Sequence, residues 1–429
     1  MKHKILILCG LVILAAPALA LEVVVPSAEA PTIADALALP DISLVEIMPG
    51  LYYEHDLEIP GGVTVRGLEF DADQVIIDAE GQGRVFLTNG DEPAYLLFVT
   101  LRNGRAYGDD PRGGGVLSSG VGIGINSVKI HDCEAVAGGG VAAIGATFFS
   151  LLSVEISDCH ALVAGGAVFT QNTSHAASGH RGLTLARNSA GQSGGAVYAV
   201  GAGDGVGLKE STLVANQAPL GSAVVVWNGD GATASMEKTL IALNQVGAPV
   251  FSDRTACYDI LCTDIALNAG GDWTGVIAGQ QYQPGNLSED PQFCDPGSGV
   301  WSVAEGSPCV TAACGDIGAW GVGCETVGNE PDDDETPAVL AAFAAHPNPF
   351  NPETEIVFSM VAPGRVSLSV YDLSGRRVRT LVDEARSAGN HHVTWRGQDD
   401  SGRSVSSGVY LAVIRQGDRR EALRLALVK

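Results

Sequence analysis

Short apolar runs recur along the middle of the chain, each behind a glycine-rich step. The copies are Gly113-Gly114-Gly115-Val116, Gly138-Gly139-Gly140-Val141, Gly165-Gly166-Ala167-Val168, Gly194-Gly195-Ala196-Val197 and Gly221-Ser222-Ala223-Val224, with a fading copy at Gly247-Ala248-Pro249-Val250. Their spacing stays between 25 and 29 residues. Before each step lies a second apolar-polar run that ends in a small polar residue: Cys133, Cys159, Asn188, Asn216 and Asn244 in turn. Each period therefore holds at least two short strands separated by turns.

Helical repeats of this length need long amphipathic stretches, which Gly-Gly steps and β-branched runs exclude. A propeller blade needs about four strands in roughly 40 to 45 residues. A solenoid coil of two or three strands, turned at Gly and Asn, fits the period. Stacked coils pair each strand with its neighbour in parallel at about 4.8 Å and bury a stripe of Val, Ile and Leu. Glycine at the corner permits positive φ and close backbone approach.

Stacking also puts Cys133, Cys159, Asn188, Asn216 and Asn244 in one column, where asparagine amides can bond along the axis. The same geometry places Cys133 and Cys159 within reach of a disulfide, and that bond is the expectation. Outward positions alternate with the valine column Val141, Val168, Val197 and Val224. They read Ala142, Phe169, Tyr198 and Val225, so Phe169 and Tyr198 are candidate platforms for sugar rings.

Upstream, Thr32 followed by Asp35 and an apolar face predicts a short capping helix. Strand-like runs follow at residues 45–48, 57–59, 63–66, 75–77 and 95–101. Downstream the repeat dissolves into a cysteine-rich segment over residues 290–320, whose expected role is to close the last coil; the disulfide candidates towards this end are Cys257, Cys262, Cys294, Cys309, Cys314 and Cys324. The pairing of these six is open in the sequence.

These features resemble the right-handed parallel β-helix family, the pectin-lyase-like fold. The Gly-Gly-Ala-Val steps look like those of polymorphic-membrane-protein repeats. The resemblance covers residues 21–324 and implies a scaffold shared by lyases, hydrolases, adhesins and passenger domains.

A charged, proline-bounded stretch at residues 330–337 reads as a linker. Beyond it, residues 338–429 predict about seven short strands, among them the alternating Val366-Ser367-Leu368-Ser369-Val370, with turns at Asp372-Leu373-Ser374-Gly375 and Asp399-Asp400-Ser401-Gly402. Pro347-Asn348-Pro349-Phe350-Asn351-Pro352, residues 370–378, Ala388-Gly389-Asn390-His391-His392-Val393-Thr394-Trp395 and Ser407-Gly408-Val409-Tyr410 resemble the FlgD-type immunoglobulin-like domain, which is similar to sorting domains of type IX secretion. That resemblance implies recognition by an outer-membrane secretion machine. The fold class expected for the whole is all-β: a right-handed parallel β-helix over residues 21–329, then a small antiparallel immunoglobulin-like β-sandwich.

The amino end explains how such a chain would leave the cytoplasm. Lys2 and Lys4, the apolar residues 5–16 and Ala18-Leu19-Ala20 form a signal-peptide pattern over residues 1–20, and no later segment looks transmembrane. An extracellular or outer-membrane-surface address follows, and disulfides rather than zinc for the eight mature cysteines. Charge is uneven: residues 338–429 carry 12 Lys+Arg against 9 Asp+Glu, and residues 1–20 add +2, which leaves −29 for residues 21–337 of the total −24. Such a surface disfavours nucleic acid and anionic headgroups, and it repels polyanionic sugars unless Ca²⁺ bridges them.

Candidate chemistry is sparse. Register places Asp132 over Asp158, and Glu134 over His160. The two carboxylates are candidate Ca²⁺ ligands or a shared-proton pair, with His160 as a base; the plain alternative is solvated turn residues. Ser178-Gly179-His180-Arg181 resembles a polygalacturonase turn, but Arg181 replaces its second glycine. Asp109-Asp110 reads as a loop. The first expectation is a non-enzymatic surface or secreted protein that binds an extracellular glycan or surface protein, without a cofactor unless Ca²⁺ serves. The alternatives are a polysaccharide lyase or glycoside hydrolase on the same scaffold, and a purely structural spacer.

Overall fold

In a computed structural model, the described residues are 21–173, 180–201, 205–227, 233–253, 257–324, 340–346, 350–360, 364–372, 377–387, 389–416 and 419–427. The signal-peptide pattern and the linker lie outside them. The chain divides into two compact units, residues 1–327 and 328–429.

The first unit is a parallel β-solenoid. A representative coil runs through Gly122–Asn126, Lys129–His131, Glu134–Ala137 and Val141–Ile144, then returns to the first face at Phe148–Leu152. The four faces are sheets of ten, nine, six and eight strands respectively. Successive coils stack in register, with Gly122 on Phe148, Lys129 on Glu155, Glu134 on His160 and Val141 on Val168.

A full coil therefore holds four strands, where the sequence pattern predicts two or three. Two of its corners are turned by non-glycine residues in the left-handed region, Ser127 at φ 53° and Asp132 at φ 55°. Such single-residue corners leave little mark in composition. The strands they separate are also short; the third face narrows to Ser189–Ala190 and Gln217–Ala218. The glycine step does need glycine: Gly165 has φ +68°, and a Cβ on Gly166 would lie 2.2 Å from the Gly195 carbonyl oxygen.

One side of each strand faces the interior. Val141, Val168, Val197 and Val224 line the fourth face inside, opposite Ile130, Ile156, Leu185, Leu213 and Ile241 of the second face. The amino-terminal end is covered as expected. Thr32 caps the helix Ile33–Leu37 in a capping box with Asp35. The Glu54 carboxylate accepts the Ile33 and Ala34 N–H groups at 2.9 Å, and Ile33, Ala36 and Leu37 pack on the core. Residues 95–101, one run in the sequence, break into Ala94–Leu97 and Thr100–Arg102 at a left-handed Phe98.

The far end differs from expectation. Trp273 and Ile277, not the cysteine-rich segment, close the last coil by joining the core. Residues 293–324 instead fold back as a strap over the outside of the second face. There Trp301 packs on Ala186 and Val214, and Cys309 and Ile317 pack on Leu240 and Ala242. These outward apolar side chains need a cover, and the strap supplies it.

Among its described residues the second unit has seven antiparallel strands in sheets of three and four. Val366, Leu368 and Val370 face its core, as the alternation predicts. Trp395 lies fully buried between the rings of Phe350 and Tyr410, at 5.4 and 5.1 Å. At the Asp399 turn, bonds from Ser401 and from the Arg403 main chain hold the Asp399 carboxyl at about 2. The turn at residues 373–375 lies outside the described residues.

Candidate ligand groove

The predicted polar column forms a continuous ladder. Asn188 Nδ2 donates to Asn216 Oδ1 at 3.0 Å, Asn216 Nδ2 to Asn244 Oδ1 at 3.1 Å, and Asn244 Nδ2 to Asn268 Oδ1 at 2.9 Å. Each oxygen also accepts the main-chain N–H of the preceding rung. Asp272 ends the ladder by accepting from Asn268. All four asparagines are buried, with their amide hydrogens satisfied.

Cys133 and Cys159 continue that column, but both keep free, buried thiols. The predicted bond between them is replaced by bonds to main-chain carbonyls. Cys133 donates to His131 O at 3.4 Å, and Cys159 to Ile130 O at 3.9 Å. The Cys159 thiol thus stands where Asn188 Nδ2 reaches Ile156 O one coil on. Burial, followed by the contact with Cys133, pushes the Cys159 thiol well up and keeps it protonated. Disulfides join Cys262 to Cys314 and Cys294 to Cys324, while Cys309 is free. The first bond ties the strap to a coil corner and the second closes the strap on itself. The Cys257 side chain lies outside the described residues.

Asp132 and Asp158 occupy equivalent corners, each with φ 55°. Asp158 is gripped by Arg187 through two bonds of 2.8 and 2.6 Å. The same guanidinium lies 5.8 Å from the Trp301 ring of the strap. Asp132 pairs with His131 Nδ1 at 2.8 Å, and His160 Nδ1 meets Ser189 Oγ at 2.8 Å. The positive group beside Asp158 is therefore an arginine. Among the described residues no cluster of three or more His, Cys, Asp or Glu is placed to hold a metal.

Phe169 and Tyr198 stack on one another, with ring centroids 5.7 Å apart and planes 4° from parallel. Phe169 is only 8% exposed, packed with Leu117, Ala137, Ala142 and Ala164, so it is not the open sugar platform expected. The neighbouring third face and the glycine steps wrap this outer side, a cover that strand alternation cannot foretell. Tyr198 is half-buried. Ser178 and Gly179 lie outside the described residues. His180 is buried edge-on to Phe149 at 5.2 Å and accepts the Leu151 N–H at Nδ1; burial lowers it to about 4. Asp110 holds Arg112 at 2.7 and 2.9 Å.

Asp132 borders a small open concavity with Tyr53, Asp78, Glu80, Asn103 and Arg105, and a longer one runs along the corner between the first and second faces. Phe98, Ser127, Ser153, Gly182, Glu210 and Lys238 turn that corner in six successive coils, with φ between 49° and 67°. Phe70, Ala72 and Asp73 wall one end of the trough and the strap residue Asp316 the other, while Trp320 borders both stretches between them. Trp320 is 46% exposed. Its indole N–H donates to Thr184 Oγ1 at 2.7 Å, and the Ala319 N–H donates to Thr212 Oγ1 at 2.9 Å, which fixes the strap tip on the second face. Paired charges line the floor: Lys129 with Asp73 at 2.6 Å and Arg181 with Glu210 at 2.7 Å. The sequence does offer Trp320, in a Gly-Ala-Trp-Gly stretch, but nothing in its spacing ties it to residues more than a hundred positions upstream.

Residues 353–418 match the family model of the FlgD Ig-like domain. The match falls on the seven-stranded unit and agrees with the resemblance read from its motifs. Comparison with curated proteins finds no relative of the chain. A parallel β-solenoid that carries a FlgD Ig-like domain fits a surface or secreted protein. Among the described residues no helix is long and apolar enough to cross a membrane.

Proposed function

We propose that this is an exported, non-enzymatic binding protein whose solenoid holds an extracellular glycan in the trough beside Trp320, and whose FlgD Ig-like domain directs or retains it through outer-membrane secretion machinery. The exposed indole, anchored by its own N–H at the edge of an open polar trough, carries the reading. An aromatic face with hydroxyl, amide and carboxylate groups around it is how proteins hold sugar rings. The alternative of catalysis at Asp132, Asp158 and His160 gains little from the geometry, because Asp158 is committed to Arg187 and His160 faces Ser189.

Glycan-array binding by the purified chain, followed by an assay for released sugar, tests the reading. Binding without cleavage is expected. Release of unsaturated or reducing products would replace it with a lyase or hydrolase. Deletion of residues 338–429 should leave glycan binding intact and abolish surface display; display that survives the deletion would remove the sorting role.

A further inference from the structure

We infer that the trough selects an uncharged, extended polysaccharide lying parallel to the solenoid axis, with successive sugar residues meeting successive coil corners. This rests on the trough being a glycan site, and adds the ligand's charge, direction and length.

Direction comes from the corners. Each of the six corner residues from Phe98 to Lys238 donates its main-chain N–H to the next coil. Ser127 bonds Leu152 O at 3.0 Å, Ser153 bonds Arg181 O at 2.9 Å and Gly182 bonds Lys209 O at 3.0 Å. The floor therefore advances by one strand spacing per coil, about 4.8 Å, and six corners span roughly 24 Å. An extended chain of pyranose rings advances by a comparable step per residue. One ring per corner lets each sugar face an equivalent edge, whereas a chain laid across the axis leaves the trough after a ring or two.

Charge comes from the pairing. The Lys129 ammonium is held by both Asp73 oxygens at 2.6 and 2.7 Å, and the Arg181 guanidinium by both Glu210 oxygens at 2.7 and 2.9 Å. What remains is Asp71, Glu155 and Asp316 against the single amine of Lys238, within a segment of net charge −29. A uronate carboxylate entering here would have to break an ion pair or face those acids. A neutral sugar instead donates its hydroxyls to Glu155, Asp316 and Ser153 and lays its apolar ring face on Trp320. The strap makes this site whole: the Cys262–Cys314 bond, the hydrogen bonds to Thr184 and Thr212 and the packing of Ile317 together hold Trp320 and Asp316 over the trough.

Titration of the full chain with neutral hexasaccharides of glucose, xylose and mannose, and with hexagalacturonate with and without Ca²⁺, decides the matter. The expected result is binding of a neutral hexasaccharide with a change in tryptophan fluorescence, and tighter binding of hexamer than trimer. Trp320→Ala should weaken it by about tenfold, the order expected for a lost ring contact. Glu155→Lys, with a melting curve to show that it is folded, should create measurable hexagalacturonate binding; no such binding by the folded variant would overturn the charge assignment. Binding of hexagalacturonate alone to the unmodified chain would overturn the charge assignment and leave the glycan reading standing. Binding of none of the sugars, or capture of a protein instead, would overturn both. Neutral-sugar affinity unchanged in Trp320→Ala, with its melting curve also unchanged, would place the site elsewhere.

Discussion

Asn216 Oδ1 accepts two hydrogen bonds from Asn188, one from its main-chain N–H and one from its side-chain amide, both at 3.0 Å across neighbouring coils. Asn216 Nδ2 meanwhile reaches back to Leu185 O at 2.8 Å. One side chain thus satisfies groups in the coil before it and leans on the coil after. Asn216→Ala strands two buried donors and the Leu185 carbonyl, so a loss of about 3 kcal/mol is expected in urea unfolding. A loss below about 1 kcal/mol would mean that water replaces the rung.

Among the described residues, two disulfides and three free thiols give a map that chemistry can check. Under native conditions Cys133, Cys159 and Cys309 should resist alkylation, and after unfolding they should label fully. Tryptic peptides should show Cys262 linked to Cys314 and Cys294 to Cys324. A Cys133–Cys159 link in the native protein would contradict the thiol geometry.

Asp264 is fully buried beneath the strap, where it accepts the Cys309 thiol at 3.3 Å and the Glu289 N–H at 3.1 Å. Burial raises its carboxyl to about 6. The unfolded chain releases that proton near pH 4 and the folded chain only near 6, so stability falls as pH rises between them, by about 3 kcal/mol in all. Asp264→Asn should remove this slope. His180 acts oppositely: lowered to about 4, it makes stability rise between pH 4 and 6.5. Because His180 is common to both proteins, the difference between wild type and Asp264→Asn isolates the Asp264 contribution. Equal slopes in the two would show that the carboxyl is ionised throughout.

Phe169 packs outside the coil yet is almost closed to solvent. Phe169→Ala should cost about 3 kcal/mol, as for a core aromatic, and leave glycan affinity unchanged. Isothermal titration on the variant at a temperature where it remains folded separates the two effects. Reduced affinity with unchanged stability would restore Phe169 as a ligand contact.

Much of the solenoid was legible because its constraints are local and repeated. The glycine steps, the inward valines and the asparagine column recur at one period, and periodic stacking turns recurrence into register. The capping helix was legible from Thr32 and Asp35, and the seven-stranded unit from strict alternation such as Val366 to Val370. Asp132 and Asp158 were placed in adjacent coils by the same register. Arg187 turns the same corner one coil on, so that register also sets it over Asp158; Trp301 was not placed, because it comes from the strap, more than a hundred positions downstream. Phe169 was assigned to the outside correctly, but alternation reports which side of a strand a residue occupies and not what covers that side.

By itself the sequence determined the kind of coil, its stacking and the polar ladder within it, since each follows from residues that meet themselves one period later. Only the tertiary structure decided the fourth strand of the coil, the fate of the cysteine column and the course of the strap. Left-handed corners at Asp132 and Ser127 carry no residue signature. A thiol and an amide can fill the same place beneath a carbonyl. The strap lays Trp320 against Thr184, a contact between residues 136 positions apart that no repeat encodes.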